Sequence, residues 1–81
     1  MNDLQIKILQ IITNLNNHAG IQTLFLQTNS ERWEYYPKDG GQGKDHAFYN
    51  LIEQMVELDY LVYISPAYWI TEKGKQVLLL Q

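Results

Sequence analysis

The sequence has no cysteine and few basic residues, and both shortages exclude classes of protein. Without cysteine, the 81-residue chain forms no disulfide and no thiolate metal site. It carries nine Asp and Glu residues against six Lys and Arg residues, a net charge of −3. Nucleic-acid-binding proteins usually have a basic surplus, because their affinity comes largely from neutralising phosphates. A role in binding nucleic acid therefore has to overcome an unfavourable charge balance.

Long apolar runs are also absent. No stretch reaches the roughly 18 apolar residues that a membrane helix needs, and Met1 to Leu4 lack the basic start of a secretion signal. Hydrophobic residues nevertheless make up 46% of the chain, which favours a folded core over disorder. We expect a single domain over residues 1–81, located in the cytoplasm and not in a membrane.

Apolar spacing predicts a first helix with one buried face. Asp3 precedes it as the expected N-cap, and the region from Asn14 to Gly20 ends it. The face recurs at helical intervals and consists of Leu4, Ile8, Ile11, Ile12 and Leu15. Ile6 and Leu9 lie off this face. They are either isolated surface residues or, together with Leu79, a contact between two copies of the chain.

The next segment, Ile21 to Thr28, fits either a short helix or a strand, and we favour the helix. Thr28 and Glu31 then have the spacing of a capping box. Whether residues 32–36 form helix or strand stays open, and Pro37 stops either one. Residues 38–44 contain three glycines and an Asp-Gly pair and are expected to form a loop or the turn of a hairpin.

A third helix is predicted from an N-cap at Asp45 to about Leu58. Its apolar stripe comprises Phe48, Leu51, Ile52, Met55 and Val56. A hairpin follows, with strands from Leu61 to Ile64 and from Tyr68 to Ile70 around a Ser-Pro-Ala turn. Thr71 is the expected N-cap of a last helix.

The last 36 or so residues resemble a known family. The runs Met55 to Val62 and Tyr68 to Lys75 resemble the winged-helix (winged helix-turn-helix) domains of small bacterial transcription regulators and small phage proteins. The resemblance implies a mainly α fold with a small antiparallel β-hairpin. It also implies close packing of Gly74 against the hairpin, and a third helix that enters the major groove of DNA.

The outward side of the third helix is the candidate binding surface. It carries His46, Asn50, Glu53, Gln54 and Glu57, with Tyr49 at its edge. Between Asp45 and Asp59 there are four acidic residues and no Lys or Arg. Such a face suits a basic protein surface better than a phosphate backbone.

Our leading interpretation is a small acidic winged-helix protein of phage or mobile-element type without enzymatic activity. It would regulate or inhibit a host protein, such as a nucleic-acid-binding one, by direct contact. The alternative is a DNA-binding transcription regulator. In that case Asn50 and Gln54 read bases, while Arg32, Lys38 and Lys44 supply positive charge.

Patterns typical of catalysis, metals or cofactors are missing from the sequence. His18 and His46 lie far apart and have no neighbours at metal-ligand spacing. The glycine-rich run that ends at Lys44 is followed by Asp45, where a phosphate-binding loop requires Ser or Thr. We therefore expect no catalytic residue, no metal site and no cofactor.

Overall fold

The helices and strands follow one another in an order that begins and ends with a helix. A computed structural model describes the backbone of residues 2–35 and 41–81, and the side chains of residues 2–32 and 47–81. The elements are α1 (Asp3–Asn14), β1 (His18–Ala19), α2 (Ile21–Gln27), α3 (Asn29–Tyr35), α4 (Gly41–Glu57), β2 (Leu61–Ile64), β3 (Ala67–Ile70) and α5 (Glu72–Leu79). The described chain is mainly helical with a small antiparallel sheet, as predicted.

The N-cap of helix α1 is Asn2, one residue before the predicted cap. The Asn2 side chain accepts a hydrogen bond from the Gln5 backbone N–H at 2.9 Å, and Gln5 Oε1 accepts one from the Asn2 N–H at 3.2 Å. This reciprocal pair is a capping box, so the prediction that Asp3 is the N-cap was wrong. Asp3 instead lies in the first turn, where its negative charge interacts favourably with the partial positive charge of the helix N-terminus.

The buried face of α1 is wider than the predicted stripe. Leu9 is fully buried, because α2, α3, α4, α5 and the sheet all pack around this helix. Leu15, which was predicted to belong to the stripe, is the C-cap and is 36% exposed. The proposed dimer contact was therefore wrong for Leu9, which the core of one chain already covers. Ile6 is half-buried and Leu79 is exposed.

Helix α2 confirms the short helix predicted after α1, but the capping box after it is not formed. The Thr28 hydroxyl donates backwards to the Leu24 carbonyl at 2.7 Å, so it closes α2 and does not cap α3 with Glu31. The open question over residues 32–36 is answered as far as Tyr35, where α3 ends. Pro37 lies outside the described residues.

Helix α4 is the helix that was predicted as the third from the sequence. It begins at Gly41, four residues before the predicted N-cap at Asp45. The predicted loop over residues 38–44 was therefore wrong from Gly41 onward, and Asp45 lies inside the helix. Glycine lowers helix propensity by about 1 kcal/mol relative to alanine, but propensity is a weak guide that tertiary context overrides. The helix ends at Glu57, close to the predicted end. Asp59 follows in the left-handed region with φ 67°, where the chain turns towards β2.

The hairpin is confirmed, and a third strand joins it. β2 and β3 pair in an antiparallel register that places Tyr63 opposite Tyr68 and Val62 opposite Trp69. The two-residue strand β1 pairs with the other edge of β3, giving the order β1-β3-β2. This short strand was not predicted from the sequence. Leu61 is the buried residue of β2, whereas Ala67, Tyr68 and Ile70 are buried in β3.

Helix α5 closes the fold against the hairpin. Thr71 is its N-cap as predicted, and the Thr71 hydroxyl accepts a hydrogen bond from the Gly74 N–H at 3.0 Å. A Cβ atom at Gly74 would overlap the backbone oxygen of Tyr60 and lie 2.9 Å from Cγ1 of Ile70. Glycine is thus required here for close packing, as the resemblance implied.

Candidate functional site

Helix α4 separates the core from the candidate binding surface. Its inner side is buried and consists of Phe48, Leu51, Ile52 and Met55. Because these positions face inward, the residues between them must face outward. The exposed side carries Tyr49, Asn50, Glu53, Gln54 and Glu57. The structure therefore brings these five predicted residues to one face, whereas the His46 side chain lies outside the described part of the chain.

The charge on this face is negative. Glu53 and Glu57 are both exposed and lie one helical turn apart. No Lys or Arg occurs from residue 47 to residue 72, a range that covers the described side chains of α4 and the whole hairpin. The local potential therefore attracts cations and repels the phosphates of a nucleic acid.

Arg32 is not available for the nucleic-acid contact that was predicted for it. The side chain is 4% exposed, and its Nη2 donates to the Phe25 carbonyl oxygen at 2.8 Å. Its Nε donates to the Thr28 hydroxyl at 3.3 Å, and its Cζ lies 3.5 Å from the centre of the Phe25 ring. The guanidinium thus stabilises the junction of α2 and α3, so the prediction that Arg32 contacts a nucleic acid was wrong.

The other basic residues do not extend the α4 face among the described side chains. Lys7 pairs with Glu31 at 3.7 Å, and Lys75 pairs with Glu72 at 3.5 Å. Lys73 Nζ lies 5.4 Å from the centre of the Tyr60 ring, beyond the end of α4. Two further lysines were predicted to contact nucleic acid. Lys38 lies outside the described residues, and for Lys44 only the backbone, in the first turn of α4, is described.

Glu53 and two further tyrosines lie near Tyr68 where α4 meets the hairpin. The Tyr68 hydroxyl donates to Glu53 Oε1 at 3.5 Å, a long hydrogen bond. The Tyr63 and Tyr68 ring centres lie 4.8 Å apart with the rings tilted by 54°. Tyr49 lies one turn before Glu53 on the exposed side of α4. We call Tyr49, Glu53, Tyr63 and Tyr68 the tyrosine cluster.

The pKa of Tyr68 depends on the other members of the tyrosine cluster. Burial raises the pKa of the Tyr68 hydroxyl above 10.0, and the neighbouring Glu53 carboxylate and the Tyr63 and Tyr49 side chains raise it further. Sequence reasoning placed Tyr49 and Glu53 on the binding face but did not connect them with the hairpin. The usable signal was the turn around Pro66, because a tight hairpin there sets Tyr63 and Tyr68 on one face of the ribbon.

Two further surface features lie near α4 and the sheet. A shallow cleft of about 190 Å³ is lined by Ile21, Gln22, Phe25 and Tyr49. On the outer face of the sheet, the His18 imidazole stacks on the Trp69 indole with ring centres 4.3 Å apart. Within the described residues there is no group of three His, Cys, Asp or Glu side chains that could hold a metal, and no helix long and apolar enough to cross a membrane.

Comparisons with known proteins identify no relative. No family model matches the chain, and neither does a curated protein or a solved structure. The winged-helix resemblance therefore depends on the residues quoted above and on the order of the elements.

Proposed function

We propose that the chain is a winged-helix domain that binds a basic protein surface through the exposed side of α4 and thereby modulates that protein. The order of elements supports the fold. A helix leads into a hairpin, a short strand after α1 extends the sheet, and a closing helix packs on it. The observation that carries the function is the charge on the described side chains of α4, residues 47–57, whose exposed side presents Glu53 and Glu57 and includes no Lys or Arg.

A nucleic-acid-binding protein is the partner class that such a face fits best. Surfaces that hold nucleic acid are rich in Lys and Arg, and an acidic helix can occupy the same basic groove. Opposite charges at an interface raise the association rate and disfavour partners of the wrong sign. The exposed Tyr49 adds an aromatic anchor of the kind enriched in interface centres.

The alternative of direct DNA binding loses support from the burial of Arg32. Asn50 and Gln54 are exposed and retain the chemistry to read adenine edges. However, base contacts add to an affinity that phosphate contacts must first supply. Of the three basic residues assigned to that task, only Lys38 and Lys44 remain.

The test is binding to a set of immobilised, purified basic nucleic-acid-binding proteins, measured with and without competing DNA. We expect binding that weakens with salt and with DNA, and that is lost when Glu53→Lys and Glu57→Lys are combined. The matched control combines Asp3→Lys with Glu72→Lys, which changes the net charge equally at exposed positions outside α4. Equal losses in the two double variants would contradict the proposal, because net charge alone would then explain binding.

A further inference from the structure

The tyrosine cluster combines the two groups that recognise a guanidinium ion. Tyr63 is 52% exposed and Tyr49 is 48% exposed, so both side chains are accessible to an incoming group. The Glu53 carboxylate is exposed beside them and accepts the hydrogen bond from the Tyr68 hydroxyl. Cations bind over aromatic faces, and a carboxylate receives two parallel N–H groups from a guanidinium.

The core of the same molecule already contains this type of recognition. Arg32 lies 3.5 Å from the Phe25 ring centre and 5.6 Å from that of Phe48, and carbonyl and hydroxyl oxygens receive its N–H groups. The tyrosine cluster offers a similar set of rings and an oxygen acceptor on the outside. Unlike the Arg32 site, it takes part in no ion pair and no cation–π contact among the described side chains, where Lys7, Lys73 and Lys75 lie against other residues.

We propose that the tyrosine cluster is the docking site for one arginine side chain of the partner protein. This inference rests on the proposed function and specifies its central contact. The guanidinium stacks on Tyr63 and pairs with Glu53. Tyr49 flanks it on the side of α4, and Tyr68 is a positioning residue whose hydroxyl holds the carboxylate.

Arginine fits this site better than lysine for a geometric reason. Its planar guanidinium can stack on a ring while its edge donates to a carboxylate, whereas an ammonium is a strongly hydrated point charge. Charge complementarity favours a cationic side chain of either kind, since the exposed side of α4 carries Glu53 and Glu57 and the whole chain has a net charge of −3, and the ring and carboxylate geometry then selects arginine.

The experiment is an NMR titration of the full chain with blocked pentapeptides that carry one central residue between glycines. Arginine is compared with citrulline, its uncharged analogue, and with lysine. We expect the arginine peptide to bind most tightly and its side-chain methylene signals to move upfield from the ring currents of Tyr63. The Tyr63 and Tyr68 ring signals should shift in the same titration.

Variants of the chain assign these effects to the tyrosine cluster. We expect Tyr63→Leu to weaken arginine binding about threefold to fivefold, as loss of an exposed cation–π contact implies. Glu53→Gln should weaken it at least as much. Glu72→Gln removes the same charge from an exposed site on α5 and is the control, with binding close to that of the unmodified chain.

The outcomes separate the inference from the proposed function. Equal binding of arginine and lysine peptides, unaffected by Tyr63→Leu but reduced by Glu53→Gln, would overturn the arginine site and leave a general acidic binding face. Binding of citrulline as tight as that of arginine would overturn it too, as would absence of binding by all three peptides. Failure of the proposed function would appear separately, as retained capture of basic proteins by the double α4 variant.

Discussion

One charged side chain lies against the buried side of helix α4 and another extends from its exposed side, and the two differ in how far the chain surrounds them. On the buried side, the Arg32 guanidinium sits near Phe48 with its hydrogen bonds made inside the chain. On the exposed side, the Glu53 carboxylate has the Tyr68 hydroxyl as a neighbour and otherwise faces solvent. The contacts that Arg32 makes within the chain leave it unavailable to another molecule, whereas the exposed Glu53 carboxylate stays available.

The buried cation should matter most for stability. We expect Arg32→Ala to lower the free energy of unfolding by about 2–4 kcal/mol, because it removes hydrogen bonds from a charged donor and leaves a cavity beside Phe25. Chemical denaturation monitored by circular dichroism measures the change. Glu57→Ala is the control on the exposed side of α4, where a surface substitution should change stability by less than about 0.5 kcal/mol. Similar effects of the two substitutions would remove the contrast between the two sides.

A smaller effect on stability should come from the titration of Tyr68 at alkaline pH. The folded-state pKa of Tyr68 is raised above 10.0, so its neutral form contributes stability that is present below pH 10 and lost as pH rises through the folded pKa. Tyr68→Phe removes this titration. We expect its stability to fall less than that of the unmodified chain between about pH 8 and pH 11, measured by urea denaturation. Parallel pH profiles would mean that Tyr68 is not held neutral beside Glu53.

The best predicted parts of the fold have strong local signals. The Ser65-Pro66 turn and the Thr71 cap depend on residue types that act over a few positions, so the hairpin and the start of α5 follow from the sequence. The exposed side of α4 follows from the spacing of its apolar residues. Tyr49 and Glu53 were accordingly placed on the correct face.

The parts that were missed depend on contacts between distant segments. β1 has two residues and becomes a strand only because His18 and Ala19 pair with β3, which lies some fifty residues further along the chain. Arg32 was assigned to a nucleic-acid contact because it precedes the glycine-containing segment that Lys38 and Lys44 flank. Its burial requires the oxygens and rings of α2 and α4 around it, and no local pattern encodes that arrangement.

Binding of the purified chain to a pool of mixed duplex DNA at about 50 mM and 200 mM salt tests the central claim most directly. We predict no binding at the lower salt concentration, where electrostatic attraction to phosphate is strongest, because the exposed side of α4 is acidic and Arg32 is buried. The combined Glu53→Lys and Glu57→Lys variant should gain DNA affinity in the same assay. Micromolar or tighter binding by the unmodified chain that falls steeply with salt would contradict the account and establish phosphate contacts.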